Sequence, residues 1–473
     1  MARVTERIQR ILEEEAPAWG IRPVPDRLRR LSGLDLAVLW GDLSVGLLVL
    51  VTGALLVPAL GLPRAMLAIV VGSVIGCLPL ALVGLAGSRE GVPGMVLFRP
   101  ILGTRGSFLP SGLNLVQLVG WTAVEFWAMG AVANVASERL LGFDASHLWL
   151  AVVAVVCTGL AIGGPIVVVR RWLERFGIYV LLASGAWITV RVLAAADPGS
   201  LWHRPGIGGL PFWLAVDLVI VMPVSWLPLV ADYNRFQRKG SRGFVGTYWG
   251  YLAGNIWFYG LGAFLVLAVG AIPDVVGIGT SIATVTSGSL LLFALLAGES
   301  DNAFANIYSS AVSVQNIVPE APQRWLIGGI GGASFVLALF GSMERYEVFL
   351  FLLGSVFVPL AGVFVADYFV RRGGRYAEAE LFDGSGVRWW ALAPWGAGFL
   401  LYQWSVAPGT LPAGWTDAML TLFHAWLRLP FPLFHSSLGA SLPSFALAFV
   451  LTLVRPATRR HDETSAGERR PAG

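Results

Sequence analysis

Runs of about 20 apolar residues recur along almost the whole of this 473-residue chain, and they restrict it to one solvent, lipid. Each run is about long enough to cross a hydrocarbon core of roughly 30 Å as an α-helix. Twelve spans are predicted, over residues 34–58, 63–87, 108–134, 147–169, 173–195, 210–232, 244–270, 282–312, 325–341, 346–369, 389–407 and 434–454. Charged residues make up only 13% of the chain against roughly 25% in soluble domains, too few to coat a globule of this length. The expected fold class is an all-α integral membrane protein with 12 transmembrane helices.

The basic residues orient these spans. Glu13, Glu14, Glu15 and several arginines precede the first apolar run, so no cleavable signal peptide is expected and residues 1–33 read as a solvated cytoplasmic tail. With that start, every arginine and the one lysine fall on the inside except Arg64, Arg139, Arg191, Arg204, Arg345 and Arg428. Only the thin connection between spans eight and nine departs from the positive-inside rule. The net charge of +4 therefore reports topology, and nucleic-acid binding need not be invoked. The chain is expected in the inner or plasma membrane as a multi-pass protein with both termini cytoplasmic and residues 455–473 disordered. Residues 414–429 are too short and polar to span, and fit a helix lying at the interface.

Two spans read as broken. In the first, Trp40 to Gly46 places two glycines, an acid and a hydroxyl at membrane depth. In the sixth, Pro223 and Pro228 flank Ser225-Trp226, and proline removes a backbone donor and clashes with the preceding turn. Spans one and six are equivalent members of two consecutive five-helix halves, residues 34–195 and 210–370. Because five is odd, the halves enter the membrane in opposite senses, giving a 5+5 inverted repeat with broken helices 1 and 6. That is a secondary-transporter pattern, with substrate and ions near the midplane between broken helices. Residues 34–370 would form the transport core and residues 389–454 two additional helices.

Polar residues at depth mark the candidate site. Glu299 and Asp301 lie inside the eighth span, where a charge costs on the order of 2.5–3.5 kcal/mol. Two residues apart, they sit roughly 200° around a helix and must serve different partners. Asn302, Asn306, Ser309, Ser313 and Asn316 share one face of the same span, and Ser313 and Asn316 fit ordinary interhelical glue. In the third span Asn114, Gln117, Trp121 and Glu125 share a face, with Trp121 at mid-depth rather than at an interface. Gly246, Gly250 and Gly254 read as a stripe for close helix packing, and Asp232 to Arg235 and Asp367 to Arg371 as polar ends of spans six and ten. Cys77 and Cys157 fall inside spans, and the five histidines belong to no metal or nucleophile motif, so neither an enzyme nor a resident cofactor is expected.

Gly120-Trp121 with a polar residue at 125, the run Ser300 to Asn306, Trp226 followed by Asp232-Tyr233-Asn234-Arg235, and Asp367-Tyr368-Phe369 resemble the nucleobase:cation symporter-1 family, the purine, cytosine, allantoin and hydantoin permeases. The first-span run Trp40 to Pro58 and the run Ala297 to Asn316 look closest to a bacterial branch of hydroxymethylpyrimidine transporters. The resemblance implies a fold like that of the leucine transporter, with spans 1, 2, 6 and 7 rocking against spans 3, 4, 8 and 9. It implies a planar heterocycle stacked on Trp121 and hydrogen-bonded by Glu125, where relatives often carry Gln, and by Asn306. Gln117, Asn302, Trp226 and Asp42 complete the candidate substrate-binding set. Coupled sodium would sit between Gly41 to Ser44 of the first span and Ala297, Ser300 and Asp301 of the eighth, and a one-residue shift in register would substitute Asn302. Asp301 serves either as a sodium ligand or as a proton carrier. The expected activity is cation-coupled symport of a nucleobase or related pyrimidine. The rival is an amino-acid:cation symporter of the same fold, since broken helices equally suit a carboxylate and an amine.

Overall fold

The computed structural model describes residues 20–163, 178–238, 240–286, 290–384, 386–406, 410–433 and 438–454. Apart from one isolated bridge between Leu31 and Gln237, the regular structure among these residues is helical. The main helices are α1 (Gly33–Asp42), α2 (Leu47–Leu55), α3 (Leu62–Glu90), α4 (Phe108–Leu141), α5 (Ser146–Gly163), α6 (Ile178–Ala195), α7 (Phe212–Ser225) and α8 (Val230–Asn234). They continue with α9 (Arg242–Val269), α10 (Val275–Val285), α11 (Leu290–Ile317), α12 (Gln323–Ala338), α13 (Met343–Val365), α14 (Trp389–Ser405), α15 (Ala413–Leu420) and α16 (Ser441–Val454). Each of the twelve predicted segments overlaps one of these helices or a broken pair. Among the described residues five segments are long and apolar enough to cross a bilayer, one of them α7 taken together with α8, and six when α1 and α2 count as one bent span.

Both expected breaks are present. α1 and α2 meet at 60° across Leu43 to Gly46, and α7 gives way at Trp226 to a four-residue turn before α8. Pro223 and Pro228 cause the second break. The start of the eighth segment differs from the prediction at 282: α10 is a separate short helix, capped by the Asp274 side chain accepting from Gly277 N–H, and the span proper is Leu290–Ile317. An apolar run hides such a boundary, because hydropathy does not register a change of helix direction. The disordered tail predicted from 455, the end of span four (164–169) and the start of span five (173–177) lie outside the described residues.

The helices sort into two groups. α1, α2, α3, α7 and α9 pack on one another through glycines. A Cβ on Gly254 would fall 2.8 Å from the Gly41 carbonyl oxygen, one on Gly250 2.9 Å from Ala37 Cα, and one on Gly76 2.9 Å from the Ile220 carbonyl oxygen. Backbones approach that closely only where side chains are missing. Asn234 ties the group together, accepting from Trp40 Nε1 at 2.8 Å, donating to Thr247 Oγ1 at 2.9 Å and accepting at its carbonyl from Ser88 Oγ at 3.1 Å. The second group is α4, α5, α11 and α12. There Asn114 Nδ2 donates to Ser313 Oγ at 2.8 Å, and Asn316 donates to Ser107 and Ser111, so Ser313 and Asn316 are interhelical glue.

α13, α14 and α16 form a third layer against α7. Asp217, buried in the middle of α7, holds α16 in place: its carboxylate accepts from Ala440 N–H at 2.7 Å and Ser441 N–H at 3.1 Å, the first donors of that helix. An acid at a helix N-terminus is favourable both as a cap and through the helix dipole.

The N-terminal segment departs from its reading as a solvated tail. From residue 20 it lies across one end of the bundle with Ile21, Val24, Leu28 and Leu31 buried. Val24 N–H donates to Gly91 O, Leu31 N–H to Phe236 O, and Arg29 to Ser88 O and Val24 O. Its few apolar residues are too sparse to stand out beside the charges, yet they suffice to cover the bundle end.

Candidate functional site

The break between α1 and α2 leaves the first backbone donors of α2 without intrahelical partners. Glu299 supplies one: its Oε2 accepts from Leu47 N–H at 2.7 Å. Gly46 makes the approach possible, because a Cβ there would sit 2.5 Å from the same oxygen and 3.1 Å from Asn302 Nδ2. The acid of α11 thus meets a half-helix N-terminus in the opposite group of helices, where the helix dipole favours it.

Asp42 closes α1 on the other side of the break, 1% exposed, with neither carboxylate oxygen hydrogen-bonded. It interacts electrostatically with Asp301 and Glu299. Asp301 Oδ1 and Asn302 Oδ1 are likewise buried and without partners. Buried polar atoms are nearly always satisfied, so four such oxygens beside one helix break make a candidate binding region, and an all-oxygen set suits a hard cation or protons. Among the described residues no three His, Cys, Asp or Glu side chains converge as metal ligands, so any cation here leans on backbone carbonyls as well.

A second group gathers on α4. Trp121 is buried, with its indole N–H unpaired and its ring edge-on to Phe349 at 5.4 Å and Tyr346 at 6.1 Å, both from α13. One turn on, Glu125 Oε1 accepts from Asn306 Nδ2 at 2.9 Å, while Oε2 is buried with no partner. One turn back, Gln117 Nε2 donates to Asn114 Oδ1 at 2.7 Å and to the Ser225 carbonyl at 3.0 Å. That carbonyl is one that the break after α7 releases from the helix ladder, so Gln117 supports the second broken span as Glu299 supports the first. Tyr346 also reaches α2, its hydroxyl lying 2.6 Å from Thr52 Oγ1 and donating to Leu48 O at 3.3 Å.

The expected residues are thus brought together unequally. Trp121, Glu125 and Asn306 form one cluster, and Asp42, Asp301 and Asn302 another at the α1–α2 break. Ser44 turns inward, its hydroxyl donating to Gly41 O at 2.8 Å. Ser300 faces away from the first span: its hydroxyl donates to Leu296 O and lies 3.8 Å from Met129 Sδ on α4. Ala297 is exposed on the outside of α11. Trp226 packs edge-on to Trp40 at 6.1 Å, within the first helix group.

Tyr346, Phe349, Thr52 and Asp217 carried no distinguishing mark in the aromatic and aliphatic runs around them, with one exception. Asp217 is an acid inside an apolar segment, the same signal that singled out Glu299.

The sequence pattern of the permeases for cytosine/purines, uracil, thiamine and allantoin matches residues 23–424. The chain is 26% identical over 391 residues to the hydantoin permease of Microbacterium maritypicum, covering 78% of this chain and 79% of that one. It is 25% identical over 383 residues to the cytosine permease of Escherichia coli strain K12, covering 76% and 83%. The structure superposes with a TM-score of 0.72, at 21% identity and over 92% of this chain and 99% of the other, on MHP1, a nucleobase-cation-symport-1 family transporter in a closed conformation with bromovinylhydantoin bound. A membrane bundle with two broken spans, one polar cluster at the first break and another on α4, and a sequence match over most of its length make this chain a member of the nucleobase:cation symporter-1 family, the cytosine, purine, uracil, thiamine and allantoin permeases.

Proposed function

We propose that this permease imports a planar heterocycle with an exocyclic amine, a cytosine or aminopyrimidine, together with a cation, and that the end bearing the N-terminal segment faces the cytoplasm. The observation that carries this reading is Glu125. Its Oε1 is fixed by Asn306, and Oε2 stays buried and unpaired one helical turn from the Trp121 ring. A carboxyl group there accepts from an amine and, when protonated, donates to the adjacent ring nitrogen; uracil presents a carbonyl where cytosine presents its amine. Stacking on Trp121 contributes about 1–3 kcal/mol by analogy with other base–aromatic contacts.

Glu299 speaks against the amino-acid rival. A half-helix N-terminus is where such transporters receive a substrate carboxylate, and at α2 the protein's own carboxylate is already there. For the coupling ion, the unpaired oxygens of Asp42, Asp301 and Asn302 support a site at the α1–α2 break beside Gly41 and Ser44, while Ala297 and Ser300 point away from it.

Thermal stabilisation of the purified protein by cytosine, aminopyrimidines, uracil, hydantoins and amino acids, with and without sodium and at two pH values, tests the reading. Cytosine or an aminopyrimidine is expected to bind at least ~10-fold tighter than uracil, about 1.4 kcal/mol, and Glu125→Gln to reduce that ratio. Equal stabilisation by uracil and cytosine in the wild type would refute the role given to Glu125.

A further inference from the structure

A cavity of about 460 Å³ opens between α4, α13 and α14, away from both polar clusters. Leu109 and Leu113 of α4, Leu352 and Val356 of α13, Phe399 of α14 and Trp415 of α15 line it. Its few polar groups are already satisfied within the protein. Ser355 Oγ donates to Leu352 O at 2.7 Å, Trp395 Nε1 to Val356 O at 2.8 Å and Trp415 Nε1 to Gln403 Oε1 at 2.8 Å. An occupant therefore gains nothing here from hydrogen bonds and everything from removing apolar surface from a void. The substrate inferred above, a polar heterocycle, does not fit that chemistry, whereas hydrocarbon does. The volume lies in the ~300–1,000 Å³ range of small-molecule sites.

Two arginines lie about one helical turn before lining residues of the cavity. Leu109 and Leu392 line the cavity near the starts of α4 and α14, and Arg105 and Arg388 lie just before those starts. The two connections are bound together, Arg105 N–H donating to Gly386 O at 3.0 Å and Arg388 N–H to Leu102 O at 2.8 Å. Arg105 is exposed and forms no ion pair among the described residues, while the Arg388 side chain donates to Pro100 O. Trp389, 74% exposed, and Trp390 stand beside them, as tryptophans do where a protein meets lipid headgroups.

We propose that this groove is a binding site for an acidic glycerophospholipid, one acyl chain lying in the cavity and the phosphate at Arg105 and Arg388. This rests on the orientation proposed above, which puts both arginines at the cytoplasmic end of a gap between spans, the charge complement of such headgroups. Because the groove walls come from α4 and α13, the helices that carry Trp121 and its two aromatic neighbours, the lipid braces the substrate cluster from behind.

Gly396 gives a clean test, since nothing lies within 4 Å of a Cβ built there and a larger side chain fills the groove without displacing its walls. Native mass spectrometry of the delipidated full-length protein, titrated with phosphatidylglycerol or phosphatidylcholine, reads binding without involving transport. Phosphatidylglycerol is expected to bind ~10-fold more tightly than phosphatidylcholine, and Arg105→Gln to bring the two within about twofold. Gly396→Phe, and Leu113→Trp on α4, are expected to weaken both lipids by roughly tenfold or more. Unchanged phosphatidylglycerol binding in either groove-filling variant, or equal affinity for the two lipids in the wild type, would overturn the proposal.

Discussion

At the scale of single residues, the site consists of polar atoms whose partners come from other helices or are missing. Trp121 keeps one side against Phe349 and Tyr346, so replacing it removes a stacking surface without cutting a structural hydrogen bond. Trp121→Ala is expected to insert and fold normally while substrate binding weakens by roughly 10- to 100-fold, the loss of about 1–3 kcal/mol of stacking. Saturable uptake at unchanged affinity would contradict it. Asp301→Asn keeps the size of the side chain and removes its charge, and is expected to leave facilitated exchange while abolishing accumulation driven by an ion gradient in proteoliposomes. Trp121, Glu125, Asp301 and Asn306 were legible in the sequence, because helical periodicity puts them on shared faces and polarity at depth makes them conspicuous. The rotation of Ser300 toward Met129 was not. Neighbouring residues on a helix differ by 100°, and which of them meets the first span depends on how α11 is turned against α4.

At the scale of helices, two buried acids have the same solution. Glu299 caps α2 and Asp217 caps α16, each carboxylate meeting the free N–H groups of a helix that begins inside the bundle. The two differ in what they connect. Asp217 joins α7 to a helix of the third layer, whereas Glu299 joins α11 of one helix group to α2 of the other. Asp217→Ala is therefore expected to destabilise the protein by about 1–3 kcal/mol with substrate affinity intact. Glu299→Ala carries a similar stability cost and is also expected to impair transport, while Glu299→Gln, which keeps an acceptor, retains part of it. Melting temperatures and uptake measured side by side separate the cases, and equal transport by both alanine variants would remove the distinction. The sequence announced both breaks, through Gly41 and Gly46 and through Pro223 and Pro228. It was silent on what each break needs, because Glu299 and Gln117 are distant along the chain from the groups they satisfy.

At the scale of the whole molecule, the end bearing the N-terminal segment is closed across the seam between the two helix groups. Tyr233 donates to Ala305 O at 3.1 Å, and Arg235 reaches both Tyr308 and the Gly20 carbonyl at 2.6 Å. The segment from residue 20 to 31 covers this seam, anchored by Arg29 on Ser88. Arg29→Ala is expected to loosen that cover, raising thiol labelling of an Ala305→Cys reporter by roughly tenfold, the loss of a charged hydrogen bond of about 1.5–3 kcal/mol. Cys77 and Cys157 are buried and leave a low background; unchanged labelling would refute the role. By itself the sequence determined the solvent, the number and order of the apolar segments, the two breaks and most of the polar residues at depth. Those follow from hydrophobicity, periodicity and proline or glycine chemistry, all local properties. Only the tertiary structure decided that Glu299 belongs to α2, that Gln117 serves Ser225, that the N-terminal segment is part of the closure, and that Tyr346 and Phe349 flank Trp121. Each of these is a contact between residues far apart in the chain, from 59 positions for Arg29 and Ser88 to 252 for Leu47 and Glu299, fixed by how helices rotate and lean on one another rather than by any pattern along the chain.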